Sequence, residues 1–138
     1  MKLNTQVLAI FAIAITATVT SQPATAQADA FPNHPLKMIV PFPPGGGADL
    51  TARTLAQKMG ESMGQTIVVD NRPGANGALG ADLVAKAAPD GYTILLADRG
   101  AFSVNPALYS KLPYDPLKDF SYIGIATDGP YVLVVNPS

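Results

Sequence analysis

The chain has 138 residues, room for about one domain. It contains no cysteine, which excludes disulfides, thiol nucleophiles and cysteine-based metal sites, and its single histidine, His34 beside Pro35, reads as a surface residue rather than a ligand or base. A formal net charge of -1 leaves no basic footprint for nucleic acid, and thirteen prolines with 14% charged residues suit a compact chain with rigid turns.

In chain order, the first element is a targeting segment. Lys2 gives a positive start, and Val7 to Ile15 is an apolar core too short to span a bilayer, which needs roughly twenty apolar residues. Small residues at Ala24-Thr25-Ala26 and Ala26-Gln27-Ala28 fit the small-x-small cleavage pattern, so residues 1–26 are expected to be a signal peptide cleaved after Ala26 or Ala28. Export follows, with the bacterial periplasm as the expected compartment.

Leu36 to Val40 is a near-continuous apolar run, the pattern of a strand covered on both faces. Pro41-Phe42-Pro43-Pro44-Gly45-Gly46-Gly47 ends that strand, because proline cannot donate to a ladder and glycine turns at little cost. A helix is expected over Ala48 to Met63, with Leu50, Leu55, Met59 and Met63 on its inner face, Ala52 and Ala56 filling between, and Gly64 as its stop. A glycine turn opening onto a helix start leaves N–H groups without partners and a partial positive charge, which suits an anion such as a small carboxylate or phosphate.

Thr66 to Val69 reads as the second strand. Asp70 to Gly77 is then a second polar turn, with Asn76 placed to cap a helix over Ala78 to Ala88 whose Leu79, Leu83, Val84 and Ala87 face inward. Ala88-Pro89-Asp90-Gly91 is a turn, Tyr92 to Ala97 a third strand, and Asp98 to Ser103 a third loop at a strand's C-terminal end. A short helical turn follows Asn105-Pro106 through Tyr109. Phe120 to Ala126 and Tyr131 to Val135 have the composition of two further strands. Strands alternating with helices on short loops predict βαβ units in a mostly parallel sheet, an α/β fold whose ligand lies outside the carboxyl ends of the strands.

Several blocks carry a family resemblance: Ile39-Val40-Pro41-Phe42-Pro43-Pro44-Gly45-Gly46 with Asp49, Asn71-Arg72-Pro73-Gly74-Ala75, Ala88-Pro89-Asp90-Gly91-Tyr92-Thr93, Asn105-Pro106-Ala107-Leu108-Tyr109, Leu112-Pro113-Tyr114-Asp115 and Asp119-Phe120. In this order and spacing the chain resembles the Bug family, the extracytoplasmic substrate receptors of tripartite tricarboxylate transporters. The resemblance implies a type 2 periplasmic-binding-protein fold, with two α/β lobes closing on a small carboxylate or amino acid that is passed to membrane transporter subunits. It also implies a monomer without a cofactor, binding mainly through backbone amides, hydroxyls and waters. Family members run to roughly twice this length or more, so residues 27–138 are expected to form the first lobe, truncated near the crossing to the second.

Carried over position by position, Phe42, Gly46, Gly47, Ala48 and Asp49 form the first wall of the implied site. Phe42 either packs on the ligand's carbon chain or is a plain core aromatic. The glycines either donate to a carboxylate or make a bare tight turn. Asp49 either caps its own helix or receives an amino group from the ligand. Asn76, Gly77 and Ala78 are a second set of donors, with Asn76 as a simple helix cap the alternative. Ser103 and Asn105 reach from the third loop, unless Asn105 serves only its turn. Arg99 departs from the family pattern of small or hydroxylated residues and forks onto a ligand carboxylate, pairs with Asp98 or points to water.

An enzyme is the first rival reading. The pattern G-x-G-x-x-G starting at Gly45 needs glycine where Leu50 stands, no Gly-Lys-Ser/Thr follows, and no base accompanies a nucleophile. The second rival is a truncated remnant of a receptor, with one lobe offering a ligand half its contacts and binding in the millimolar range or weaker.

Overall fold

The computed structural model describes residues 30–129 and 132–137. The proposed signal peptide lies outside the described residues. Strand β1 (Leu36–Val40) leads into helix α1 (Gly47–Met63), strand β2 (Ile67–Asn71), a tight 3₁₀ turn (Ala75–Gly77) and helix α2 (Ala78–Ala85). Strand β3 (Thr93–Leu95), a wide π-type turn (Gly100–Val104) and the one-turn helix α3 (Asn105–Leu108) follow.

All pairing is parallel, and β1 lies between the other two strands in the order β2-β1-β3. Met38 sits opposite Val69 on one side and Ile94 on the other, so a central strand with two neighbours fits the apolar run that encodes it. The pleat sends alternate residues to opposite faces. Leu36, Met38 and Val40 pack with Ala52 and Ala56 of α1 and with Ile67. On the other side Ala78 and Ala81 of α2 gather Ala101 and Tyr114, with Leu95, Phe102 and Phe120 against them. A helix on each face of a parallel sheet is the expected α/β arrangement, and all three strands point their C-terminal ends the same way.

Helix α1 matches the expected span to one residue, and Gly64 closes it in the left-handed region (φ 67°). Its inner stripe holds from Ala52 on, with Ala52 and Ala56 buried and Leu55, Met59 and Met63 packed against them, but its start differs: Leu50 is 70% exposed and Asp49 is buried. Asp49 takes the inward position because it has polar partners there, which turns the next residue outward.

The inner face of α2 is also corrected. Leu79 and Leu83 are exposed, and Ala78, Gly80 and Ala81 are buried. A Cβ at Gly80 would lie 2.9 Å from Pro41 Cβ, so this helix meets the end of β1 through its smallest residues and larger ones are turned away. It also ends at Ala85, three residues earlier than expected.

The two late strands are the third correction. Residues 121–129 and 132–137 form no strand, and Ile123, Ile125, Leu133 and Val135 are each more than four-fifths exposed. Tyr131 lies outside the described residues. Strand composition gives no ladder without a neighbouring strand, and the described residues provide none for this segment.

Candidate functional site

Three loops leave the C-terminal ends of β1, β2 and β3 and meet. Gly77 is the contact point: a Cβ there would lie 3.3 Å from Ala101 of the third loop and 3.6 Å from Pro41 of the first. Its φ of 83° is reached cheaply only without a side chain, and it stands as the residue before α2.

The first loop is held by Asp49. This residue is buried, and its Oδ2 accepts the Gly45 N–H (2.9 Å) and the Arg53 Nε–H (3.1 Å). Arg53 Nη2 stands 3.0 Å from Oδ1, which also accepts from Asn71 Nδ2 (3.0 Å). Asn71 Nδ2 donates again to the Phe42 carbonyl (3.0 Å), and Arg53 Nη2 donates to Asn71 Oδ1 (3.3 Å). The carboxylate therefore ties the turn before α1 to the end of β2. The Arg53 guanidinium, then the Gly45 amide and Asn71, draw the Asp49 carboxyl down from 3.8 to about 2.

Of the two roles expected for Asp49, neither describes it fully. Gly46 is the residue before the helix, and no side chain caps it. Asp49 lies inside the first turn and reaches back to Gly45, so it braces the turn and leaves the helix-start amides of Gly47 and Ala48 without a side-chain acceptor. A folded-state pKa below the ordinary value stabilises the fold above about pH 4 and loses that contribution as pH falls through about 2. Urea midpoints measured between pH 5 and pH 2 are expected to fall more steeply for the native chain than for Asp49→Asn.

The second loop corrects Asn76. It does not cap α2. Its backbone is left-handed (φ 48°), and its Nδ2 donates to Asn105 Oδ1 (2.8 Å). Asn105, fully buried, returns a bond from Nδ2 to the Asn76 carbonyl (3.0 Å). These two expected site residues are thus brought together, as a lock between the second and third loops. Ala78 is buried at the start of α2.

On the third loop, Asp98 Oδ1 accepts the Ala101 N–H (3.2 Å), and Gly100 sits against the Asn76 amide. Arg99 and Ser103 are exposed. Phe42 is half-buried and packs against the α1 side of the core. Asn71 and Arg53 complete the network around Asp49, and the sequence blocks single out neither for it. The signals were present: Arg53 follows Asp49 by four residues on one helix, and Asn71 ends a strand facing the glycine turn.

A second depression of about 280 Å³ lies beside α2, lined by Ala75, Ala78, Leu79, Asp82, Tyr109 and Lys111 among others. It shares only Ala78 with the expected set. Among the described residues no group of three or more His, Cys, Asp or Glu side chains is placed to hold a metal.

Residues 51–138 match the sequence profile of the tripartite tricarboxylate transporter family receptor, TctC. Protein BugT of Bordetella pertussis is 44% identical over 134 residues, covering 96% of this chain and 40% of BugT. The solved periplasmic binding protein BugD shares 47% identity at a TM-score of 0.63, over 65% of this chain and 30% of BugD. MatC from Rhodopseudomonas palustris, solved with bound malate, shares 42% identity at a TM-score of 0.62, over 65% of this chain and 31% of MatC. The chain thus spans two-fifths or less of the proteins it matches here.

Proposed function

The chain belongs to the tripartite tricarboxylate transporter receptor family, and from that membership we propose that it forms one wall of an extracytoplasmic solute-binding site for a small carboxylate. The α/β architecture is that of a periplasmic-binding-protein lobe. The observation that carries the proposal is the convergence of the three strand-end loops around Gly77, with the uncapped start of α1 tied to the end of β2 through Asp49 and Asn71. Amides at a helix start favour a carboxylate through their free donors and the helix dipole.

Gly46, Gly47 and Ala48 are proposed as donors from the first loop; Gly77 and Ala78, whose amides already donate to the Gly74 and Ala75 carbonyls, line the second loop's side of the site. Phe42 borders the ligand's carbon chain, and Arg99 and Ser103 stand on the rim. Asn76, Asn105 and Asp49 act by holding the loops. The bound malate of MatC supports a dicarboxylate as the ligand class. Delivery to membrane transporter subunits, export by a cleaved signal peptide, a monomeric state and binding without catalysis complete the proposal.

A thermal-shift screen of mono-, di- and tricarboxylates, against chloride at equal ionic strength, tests it. A ligand at ten times its Kd stabilises the fold by about 1.4 kcal/mol, a Tm rise of several degrees for a lobe of this size. Dicarboxylates are expected to give such a rise at tens of millimolar or below. A flat response across all three classes would overturn the proposal.

A further inference from the structure

Asp49 is the buried carboxylate among the described residues, and it stands within the turn where an anion is proposed to bind. Its Oδ2 lies 2.9 Å from the Gly45 amide, one residue before the proposed donors begin. An unpaired negative charge at that point repels a carboxylate ligand. The structure surrounds the charge instead. Arg53 forks onto both oxygens through Nε and Nη2, at 3.1 and 3.0 Å. Asn71 supplies a further donor to Oδ1 and turns its own Oδ1 toward Arg53.

We infer that Arg53 and Asn71 are positioning residues for the ligand: they hold Asp49 against the glycine turn and cancel its charge, so the amides face an anion from a locally neutral wall. The inference rests on the carboxylate reading above. Neither side chain touches the ligand in this scheme, because Arg53 directs Nε and Nη2 at Asp49 and Asn71, and Asn71 Nδ2 is taken by Asp49 and the Phe42 carbonyl. The Arg53 side chain remains 54% exposed, while that of Asp49 is 7% exposed. Brace and charge cancellation come from the same contacts, and a double-variant cycle separates them.

Malate titrations followed by backbone amide NMR would be run on the native chain, Arg53→Gln, Asp49→Asn and the double variant, each checked for a native-like spectrum. Arg53→Gln is expected to weaken malate about five- to tenfold, the scale of unit charges several ångström apart near a protein surface. Asp49→Asn is expected to tighten it about two- to fivefold by the same reasoning with the charge reversed. The double variant is expected to recover most of the Arg53→Gln loss, since the uncancelled charge is removed along with its partner. The Arg53→Gln deficit should shrink at about 0.5 M salt, which screens charge and leaves packing unchanged.

A purely structural brace predicts a double variant worse than either single one, and a direct Arg53–ligand contact predicts one as weak as Arg53→Gln. Either result overturns the inference, as does weaker binding by Asp49→Asn. If Arg53→Gln does not fold, Arg53→Lys, which keeps the charge without the fork, must bind within about threefold of the native chain for the inference to stand. A native chain that binds neither malate nor any other carboxylate overturns the parent proposal. Binding by the native chain with unmoved variants overturns only this inference.

Discussion

Replacing Gly80 by valine is expected to destabilise the fold by about 2–3 kcal/mol, the range for forcing extra atoms into a filled contact. The first added carbon would already lie 2.9 Å from Pro41 Cβ, 3.2 Å from Pro41 Cα and 3.4 Å from the Arg72 carbonyl. Two of those three atoms are backbone, at the end of β1 and just past β2, so no rotamer change relieves the clash. Helix α2 must move instead. The gain from removing a helical glycine is only a few tenths of a kcal/mol for valine and does not offset this. Because α2 begins at Ala78, the shift also carries the second-loop side of the proposed site away from the first loop. Urea unfolding checks the prediction: the midpoint should drop at an unchanged slope, and Gly80→Ala should fall between the native chain and Gly80→Val. A neutral valine variant would mean that α2 does not rest on Pro41.

Asn105→Ala is expected to cost about 2–4 kcal/mol, combining two lost hydrogen bonds with a void at a fully buried position. The native side chain is fully buried and spans from the third loop to both the side chain and the carbonyl of Asn76. Asn76 and its neighbour Ala75 hold positive φ values of 48° and 49°, which non-glycine residues keep only when their surroundings fix them. Cutting the lock lets that turn relax. Asn76→Ala should cost less, because the bond from Asn105 Nδ2 to the carbonyl of residue 76 survives it and no buried volume is lost, although Asn105 Oδ1 loses its donor. The same urea measurements rank the two variants. Equal costs would show that the buried position of Asn105 contributes nothing of its own.

The parts of the fold that were legible in the sequence are those encoded locally. The apolar run from Leu36 to Val40 bounded by Pro41 gave the central strand, and the span to Gly64 gave α1. Pro89-Asp90-Gly91 gave the turn before β3, where Asp90 Oδ1 accepts the Tyr92 N–H. What depends on distant contact was not legible. The face of α2 is set by how closely it approaches Pro41, and counting leucines points to the wrong side. The segment from Phe120 onward has strand composition, but strand formation belongs to a pair of segments.

The candidate site divides in the same way. The positions of Asp49, Asn76 and Asn105 were evident from their blocks, while their roles were not. The partners that define those roles come from afar: Asn71 is 22 residues from Asp49, and Asn105 is 29 residues from Asn76. A short polar side chain before a helix reads as a cap when only its neighbours are considered. In the folded chain the same side chain is free to lock two loops.

Backbone amide NMR during a malate titration tests the central claim most directly, because it reads the proposed donors and lining residues one by one. Saturable shifts concentrated at Gly46, Gly47, Ala48, Gly77 and Ala78 are predicted, with the far ends of the strands near Leu36 and Ile67 unmoved. Shifts confined to the depression around Leu79, Tyr109 and Lys111, or no saturable shift at tens of millimolar malate, would contradict it.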